Sequence, residues 1–153
     1  MKIIRMITLF TSLIAPIIAP YTMAADSDTI YVIVNQKSEL SELNKKQVMS
    51  IFLGRARNFP NGKTAKAFDH GLDSAIREAF FERLTGKQLS DIDAYWARLS
   101  YSGRAFPPKS ISNVNGILEE VGRNKNAISY VKDKSPEELS EQGIVIVYSI
   151  KGR

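Results

Sequence analysis

The sequence predicts an α/β fold, in which helices cover a central sheet. The segments "TIYVIVN" and "GIVIVYSI" are nearly continuous apolar runs, which is typical of strands buried on both faces. Several segments between them instead repeat apolar residues every three to four positions, as amphipathic helices do. Because strands separated by helices pack into layers, we expect a sheet flanked by helices.

The first 25 residues have the layout of a secretory signal peptide. Lys2 and Arg5 precede an uncharged run over 6–19, and small residues close the segment at Ala25. The alternative is an uncleaved membrane anchor, which needs about 20 apolar residues. This run is shorter and contains Pro16, so the sequence favours a cleaved signal and export to the periplasm.

Cleavage after Ala24 or Ala25 predicts one domain over 26–153, which is an ordinary size for a single hydrophobic core. The signal carries two basic residues and no acidic residue, so its removal lowers the formal net charge from +5 to +3. That charge does not indicate nucleic-acid binding. We expect a soluble mature protein with no stable membrane insertion.

Composition also excludes several kinds of chemistry. The chain has no cysteine, which excludes disulfides, thiolate metal sites and a cysteine nucleophile. His70 is the only histidine, so sites with paired histidines are excluded, and we interpret it as a loop residue rather than a catalytic base. No serine lies in a G-x-S-x-G motif, and the adjacent Glu119 and Glu120 belong to a helix surface. We therefore expect neither an enzyme nor a bound cofactor.

The elements of the N-terminal half follow from periodicity and turn residues. A strand is predicted over 29–35, and a helix over about 44–53 with Gly54 in a left-handed cap. The sequence Pro60-Asn61-Gly62 predicts a tight turn, in which Asn-Gly supplies positive backbone dihedrals. A short strand that ends at Phe68 should follow it.

Two amphipathic helices come next. The first begins at Asp73 and is closed by Gly86, and the second begins after Ser90 as its N-cap. Their inward faces carry apolar residues at helical spacing. These are Ile76, Ala79, Phe80 and Leu84 on the first helix, and Ile92, Tyr95, Trp96 and Leu99 on the second.

The remaining segments complete the order β-α-β-α-α-α-β-β. "SYSGRAFPPKSIS" is predicted as an ordered surface loop, because it contains glycine and proline without periodicity. "NVNGILEEVGRN" predicts a helix, "NAISYV" and "GIVIVYSI" predict strands, and the polar "KDKSPEELSEQ" predicts a short helical turn or loop. The helix should turn Val114, Ile117, Leu118 and Val121 inward.

Four blocks, "IFLGRARNFPNGK", "SAIREAFFERLTGK", "YWARLSYSGRAFPPK" and "AISYV", occur in an order that resembles the phosphate-type periplasmic substrate-binding proteins. The chain is most similar to small secreted members that keep one lobe of the two-lobed fold. The resemblance covers nearly all of 26–153. It implies a single lobe of type II periplasmic-binding-protein-like fold, with a central mixed sheet flanked by helices. It also implies a non-enzymatic module related to phosphate ABC transporter substrate-binding proteins.

In the phosphate-binding relatives, a pattern R-x-D-x-S-G-T opens a helix and holds the oxyanion through hydroxyls and backbone amides. A helix start suits an anion because it presents free N–H groups and a partial positive charge. Here only the serine of the pattern is present, as Ser74. His70, Leu72, Ala75 and Ile76 replace the arginine, aspartate, glycine and threonine, so the resemblance implies weak binding of a small anion, phosphate-like or carboxylate.

The predicted site therefore combines the start of this helix with the segment after the aromatic helix, which the resemblance places along the same cleft. Asp73 counts against anion binding, because a carboxylate there repels a second negative charge. In the alternative interpretation, Asp73 or Ser74 caps the helix and Arg77 is solvated. The candidate ligand-binding residues are His70, Asp73, Ser74, Ala75, Arg77, Ser102, Gly103 and Arg104.

Two further clusters have a structural and a functional interpretation. Aromatic residues around the loop either line a cleft or, as we favour, place Trp96 in the core while Tyr101 and Phe106 pin the loop. A basic run is either a solvated face or a contact with an acidic partner or anionic lipid. Its members are Lys45, Lys46, Arg55, Arg57 and Lys63.

A single lobe leaves its cleft-facing side uncovered, and this leads to a second hypothesis for function. The module would then be a periplasmic protein–protein interaction or sensor-accessory module that has lost small-ligand binding. Self-association is compatible with both hypotheses, because two copies facing each other would rebuild a two-lobed cleft.

Overall fold

The computed structural model describes residues 28–152, so the predicted signal peptide and its cleavage site lie outside the described residues. The described part holds five strands, five α-helices and a short 3-10 helix at Gln36–Ser38. The strands are β1 (Ile30–Asn35), β2 (Lys66–His70), β3 (Lys109–Ile111), β4 (Ala127–Lys132) and β5 (Ile144–Ile150). The helices are α1 (Lys45–Phe52), α2 (Ala75–Thr85), α3 (Leu89–Tyr101), α4 (Val114–Arg123) and α5 (Pro136–Glu141).

The strands form one mixed sheet in the order β3-β2-β4-β1-β5. Strand β2 is parallel to both β3 and β4, whereas β1 is antiparallel to both β4 and β5. The neighbouring residues Val32 and Ile33 of β1 point to opposite faces of the sheet, and both are fully buried. This confirms the prediction, made from its continuous apolar run, that the first strand is covered on both faces.

Helices cover both faces of the sheet, which confirms the α/β class. Helices α1, α2 and α3 pack on one face, around a cluster that includes Val32, Phe52 and Phe80. Helices α4 and α5 cover the other face, where Ile33 and Phe68 meet the inward residues of the helices. The α4 side chains are the predicted ones, with Ile117, Leu118 and Val121 buried and Val114 packed against them.

Helix α1 shows how local sequence defines an element. The side chain of Asn44 accepts a hydrogen bond from the N–H of Gln47 at 2.9 Å, and the Gln47 side chain accepts one from the N–H of Asn44 at 2.8 Å. This reciprocal capping box satisfies two of the free donors at the helix start. At the other end Gly54 takes a φ of +66°, the left-handed conformation predicted for it.

Gly54→Ala is expected to destabilise the protein by about 2 kcal/mol or more. An alanine strains a left-handed backbone by about 1–2 kcal/mol, and its Cβ would lie 2.8 Å from Cη2 of the buried Trp96. Gly62→Ala is a matched control, because Gly62 has a φ of +82° but no atom lies within 4 Å of the place that a Cβ would take. Urea unfolding of both variants separates strain from steric overlap, and equal losses would contradict the packing argument.

The structure corrects three local predictions. Helix α3 begins at Leu89 with Gln88 in the N-cap position, so Ser90 lies inside the first turn, where its backbone is already helical. In the turn at 60–62 only Gly62 has a positive φ, and the preceding Asn61 instead accepts a hydrogen bond from the N–H of Lys63. The predicted loop contains the end of α3 and all of β3, an edge strand of three residues that is too short for a period to be visible.

Candidate functional site

The start of α2 follows the C-terminal end of β2 and presents unused hydrogen-bonding groups. Ser74 occupies the N-cap position with extended backbone, φ −83° and ψ 123°, and its side chain makes no capping hydrogen bond. The backbone N–H groups of Ala75 and Ile76 have no backbone acceptor among the described residues. A hydroxyl and free amides at a helix N-terminus can together bind an oxyanion.

The residues just before Ser74 are exposed and do not cap the helix. Asp73 is exposed, and the N-cap position belongs to Ser74 instead. Ser74 is thus the N-cap residue, as one of the two alternatives in the capping interpretation has it, but its side chain makes no capping hydrogen bond and Asp73 is not the cap. Leu72, which stands where the phosphate-binding pattern has an aspartate, is 68% exposed.

Arg77 does not lie at the free surface of this helix start. Its side chain is 3% exposed, and its Nε donates to Oδ2 of Asp69 at 2.9 Å while its Nη2 donates to Oδ1 of Asp93 at 2.7 Å. The expectation of a solvated Arg77 is thus wrong. Its Nη1 is buried without a hydrogen-bond partner among the described residues. Since two carboxylates already pair with the guanidinium, its charge contributes little attraction to an anion at Ser74.

Asp69 is the centre of a buried polar network beneath the site. Besides Arg77, it accepts hydrogen bonds through Oδ1 from the N–H of His70 at 2.8 Å and from the Tyr130 hydroxyl. Burial raises the pKa of Tyr130, and the adjacent negative charge of Asp69 raises it further. Burial opposes the charge of Arg77, but hydrogen bonds to Asp93 and Asp69 outweigh it and raise the pKa of Arg77. At neutral pH the arginine is therefore charged and the tyrosine is neutral.

His70 is the last residue of β2 and is 4% exposed, so its interpretation as a loop residue is wrong. Its Nε2 lies 2.8 Å from the carbonyl oxygen of Tyr130. A carbonyl oxygen only accepts hydrogen bonds, so Nε2 carries the proton and donates it. The imidazole also packs against the Tyr130 ring with centroids 4.8 Å apart. This nitrogen is consequently occupied by the core and does not face a ligand.

The structure does not bring the segment 102–104 to the start of α2. Ser102 is the C-cap of α3, and its hydroxyl donates to the carbonyl of Leu99 at 3.0 Å. Gly103 and Arg104 instead line a groove elsewhere. Within the described part of the chain, no residue from the start of α2 lines that groove. Asp93 contacts Arg77, and α3 then continues for eight residues to Tyr101, a rise of about 12 Å. The second wall that the resemblance implied is therefore displaced along α3.

The aromatic residues near this segment divide into core and surface. Trp96 is 4% exposed, which confirms its place in the core, and the Tyr95 hydroxyl donates to the carbonyl of Leu53 at 2.8 Å. Tyr101 is 96% exposed and Phe106 is 72% exposed. The prediction that these two side chains pin the loop is therefore wrong.

The network of Asp69, Arg77 and Asp93 was not predicted from the sequence. The spacing of residues on α2 nevertheless indicates that Arg77 is buried. It precedes three buried apolar residues by three, four and seven positions, which places all of them on one helix face: Phe80, Phe81 and Leu84. A cation on an apolar helix face requires a buried counter-charge. In the structure that counter-charge is Asp69, near the end of the preceding strand, whose carboxylate pairs with Arg77 at 2.9 Å.

Two kinds of site are not found in the part of the chain that the structure describes. No three His, Asp or Glu side chains between residues 28 and 152 come together to hold a metal ion. None of the described helices has both the length and the apolar character needed to cross a membrane.

The solved structures similar to this chain include proteins of phosphate transport. One, from Clostridium perfringens, is described as a phosphate ABC transporter substrate-binding protein with bound phosphate. It matches with a TM-score of 0.58 and 16% identity, over 80% of this chain and 46% of its own. An ABC-type phosphate transport receptor from Vibrio cholerae matches with a TM-score of 0.60 and 15% identity, over 78% of this chain and 45% of its own. PstS from Borrelia burgdorferi matches with a TM-score of 0.57 and 11% identity, over 78% of this chain and 46% of its own.

These similarities establish the fold and nothing finer. The chain spans less than half the length of each of these three proteins. No protein-family model matches the sequence, and no curated protein does so either. The mixed sheet flanked by helices is the fold of the substrate-binding-protein neighbours, as predicted from the sequence.

Proposed function

We propose that this chain is a secreted, non-enzymatic binding module, equivalent to a single lobe of a phosphate-type substrate-binding protein, that weakly binds a small anion at the start of α2. The observation that supports this most is Ser74. Ser74 lies at the N-cap position of α2, and its hydroxyl makes no capping hydrogen bond. The backbone N–H groups of the next two residues have no backbone acceptor among the described residues. The fold is shared with a protein described with bound phosphate.

The ligand class follows from these groups. A hydroxyl and backbone amides donate hydrogen bonds, so they fit the oxygens of a phosphate-like or carboxylate ion. Three features make the binding weak. Asp73 places an exposed negative charge beside the site, Arg77 is already paired with two carboxylates, and a one-sided site leaves the anion in water.

The location belongs to the same proposal. Cleavage of residues 1–25 releases the domain 26–153 into the periplasm, where it acts without stable membrane insertion and without a cofactor. A role related to an ABC transporter for phosphate is supported by the fold of the neighbours.

Ser74→Ala is expected to weaken phosphate binding by about 1–2 kcal/mol, roughly five- to thirty-fold, because one hydrogen bond to a charged ligand is removed. The same change should alter the free energy of unfolding by less than about 0.5 kcal/mol, since the hydroxyl caps nothing in the folded protein. Isothermal titration with phosphate, sulfate and acetate measures the first effect, and urea unfolding without the anion measures the second.

Asp73→Asn is the companion variant and should strengthen anion binding, because it removes a like charge but keeps the size of the side chain. A thermal-shift series checks both variants, since an anion at 100 times its dissociation constant stabilises by about 2.7 kcal/mol. If both variants bind every tested anion as the unchanged protein does, α2 is only a core helix and the anion proposal fails.

The alternative is a periplasmic protein–protein interaction or sensor-accessory module without a small ligand. The observation that favours it is Leu72, a large apolar side chain that is 68% exposed beside the start of α2. Self-association through this side is included, since two copies would cover each other's Leu72. Light scattering at high protein concentration tests self-association, and a mass equal to one chain would exclude it.

A further inference from the structure

A second concave surface, here called the basic groove, lies at the other end of β2. It has a volume of about 400 Å³ and is open to solvent. Its walls are the segment after α1, the start of β2, and the loop between α3 and β3. The residues lining it include Gly54, Arg57, Lys66, Trp96, Arg104 and Phe106.

The groove is formed by two parts of the chain that carry no acidic residue. Residues 43–68 and 94–118 contain nine of the 21 Lys and Arg residues, and neither segment has an Asp or Glu. Within residues 28–152, Arg57 and Arg104 make no salt bridge. Lys66 and Lys109 instead lie close enough to Glu120 for their charges to add to that of Arg123 in lowering the pKa of the Glu120 carboxyl. The two arginines therefore give the lining unpaired positive charge, and a charged concave surface of one sign attracts ligands of the opposite sign.

Much of the remaining lining is apolar. Phe106 is 72% exposed at the groove, and Pro107 and Pro108 continue the same wall. The opposite side consists of small residues around Gly54. A Cβ added at Gly54 would overlap the buried Trp96 ring. An exposed aromatic side chain beside unpaired arginines is a frequent composition of protein–protein contact surfaces.

The groove is separate from the proposed anion site. It borders Lys66 at the start of β2, whereas α2 begins beyond His70 at the end of that strand. The lining reaches furthest toward α2 at Lys109 of β3, which pairs with Phe68, two residue steps or about 7 Å before His70, and none of residues 70–76 lines the groove. A ligand in the groove therefore needs no contact with Ser74, and the inference stands whether or not α2 binds an anion.

We propose that the basic groove binds an extended acidic segment of a partner protein. Carboxylates of the segment pair with Arg57 and Arg104, whose planar guanidinium groups suit bidentate contact with carboxylate. An apolar side chain of the segment packs on Phe106 and the two prolines. A concave groove favours a chain over a membrane, because a flat bilayer reaches only its rim. The apolar wall favours a peptide over a simple inorganic anion.

The test uses Trp96, which is the only tryptophan of the protein and lines the groove. The probe is a capped peptide of alternating glutamate and phenylalanine, and its matched control replaces glutamate by glutamine. We expect the acidic peptide to change the Trp96 fluorescence saturably, the glutamine peptide to bind at least about tenfold more weakly, and added salt to weaken the acidic peptide.

Variants assign the binding to the groove. Arg57→Glu combined with Arg104→Glu should reduce affinity for the acidic peptide at least about tenfold. Phe106→Ala should reduce affinity for the glutamate–phenylalanine peptide but not for a glutamate–serine peptide. Lys151→Glu is a single charge reversal of the same kind, on an exposed residue just after β5 at the opposite edge of the sheet, and it should leave the affinity unchanged.

Circular dichroism confirms that each variant folds before it is titrated, and the surface positions of Arg104 and Phe106 make retained folding the expected result. The proposal is overturned if the double arginine variant binds the acidic peptide as well as the unchanged protein does. It is also overturned if phosphatidylglycerol vesicles or inorganic phosphate bind in an Arg57- and Arg104-dependent manner while the acidic peptide does not.

Discussion

Replacing Arg77 by alanine is expected to lower the free energy of unfolding by about 3–5 kcal/mol. The guanidinium is 3% exposed and pairs with Asp69 at 2.9 Å and with Asp93 at 2.7 Å. Asp93 is half exposed and recovers hydration when the arginine is removed, whereas Asp69 remains a buried carboxylate without its counter-charge. Most of the loss is therefore the cost of that uncompensated charge rather than the intrinsic value of the ion pair.

Arg98→Ala is the matched control for this prediction. Arg98 lies on α3, is exposed and makes no salt bridge within the described residues, so its removal should change stability by less than about 0.5 kcal/mol. Urea unfolding followed by circular dichroism measures both variants. Combining Arg77→Ala with Asp69→Asn should cost less than the sum of the two single changes, because the second change removes the stranded charge. Additive losses would show that the pair is not coupled.

Phe80→Ala is expected to destabilise the protein by about 3–5 kcal/mol. Phe80 is fully buried between α2 and the sheet, and its ring stacks on Tyr130 with centroids 3.7 Å apart. It also makes edge-on contacts with Phe52 at 4.8 Å and Phe81 at 5.2 Å. Truncation removes one ring from a cluster of four aromatic side chains, and neighbours held in a close-packed core close the cavity only in part.

The same substitution at Phe106 provides the comparison. Phe106 is 72% exposed, so Phe106→Ala removes little buried surface and should change stability by less than about 0.5 kcal/mol. Unfolding in urea at a constant denaturant slope gives both values from the transition midpoints. Losses of similar size for the two variants would contradict the assignment of Phe80 to the centre of the core.

The elements that depend on local pattern could be predicted from the order of residues alone. The unbroken apolar run of β1 predicted a strand covered on both faces, and Val32 and Ile33 are both fully buried. Helical spacing identified α1, α2, α3 and α4, and Gly54 and Gly86 take the left-handed conformations that end α1 and α2. These features could be predicted because periodicity and backbone freedom act within a few residues.

Which of the candidate site residues are available depends on packing between distant parts of the chain. Of the eight, Ser74 and Ala75 remain together at the start of α2 with Asp73 exposed beside them, whereas His70 and Arg77 are buried in the core. The spacing of Arg77 on an apolar helix face indicates that it is buried, but the sequence does not reveal which distant groups pair with Arg77 or with His70. Here those partners are the carbonyl of Tyr130, 60 residues from His70, and the carboxylate of Asp93, 16 residues from Arg77.

The position of the segment 102–104 likewise follows from tertiary contacts. Its sequence predicted a loop beside aromatic residues, but the direction of α3 determines which end of β2 it reaches. Asp93 lies near the start of α2 because it pairs with Arg77, and the rigid rise of α3 then takes Gly103 and Arg104 to the basic groove. Strand β3 is a similar case, since three residues form a strand only because β2 offers them hydrogen-bond partners. Local patterns specify elements, whereas sites depend on contacts between residues that are far apart in the chain.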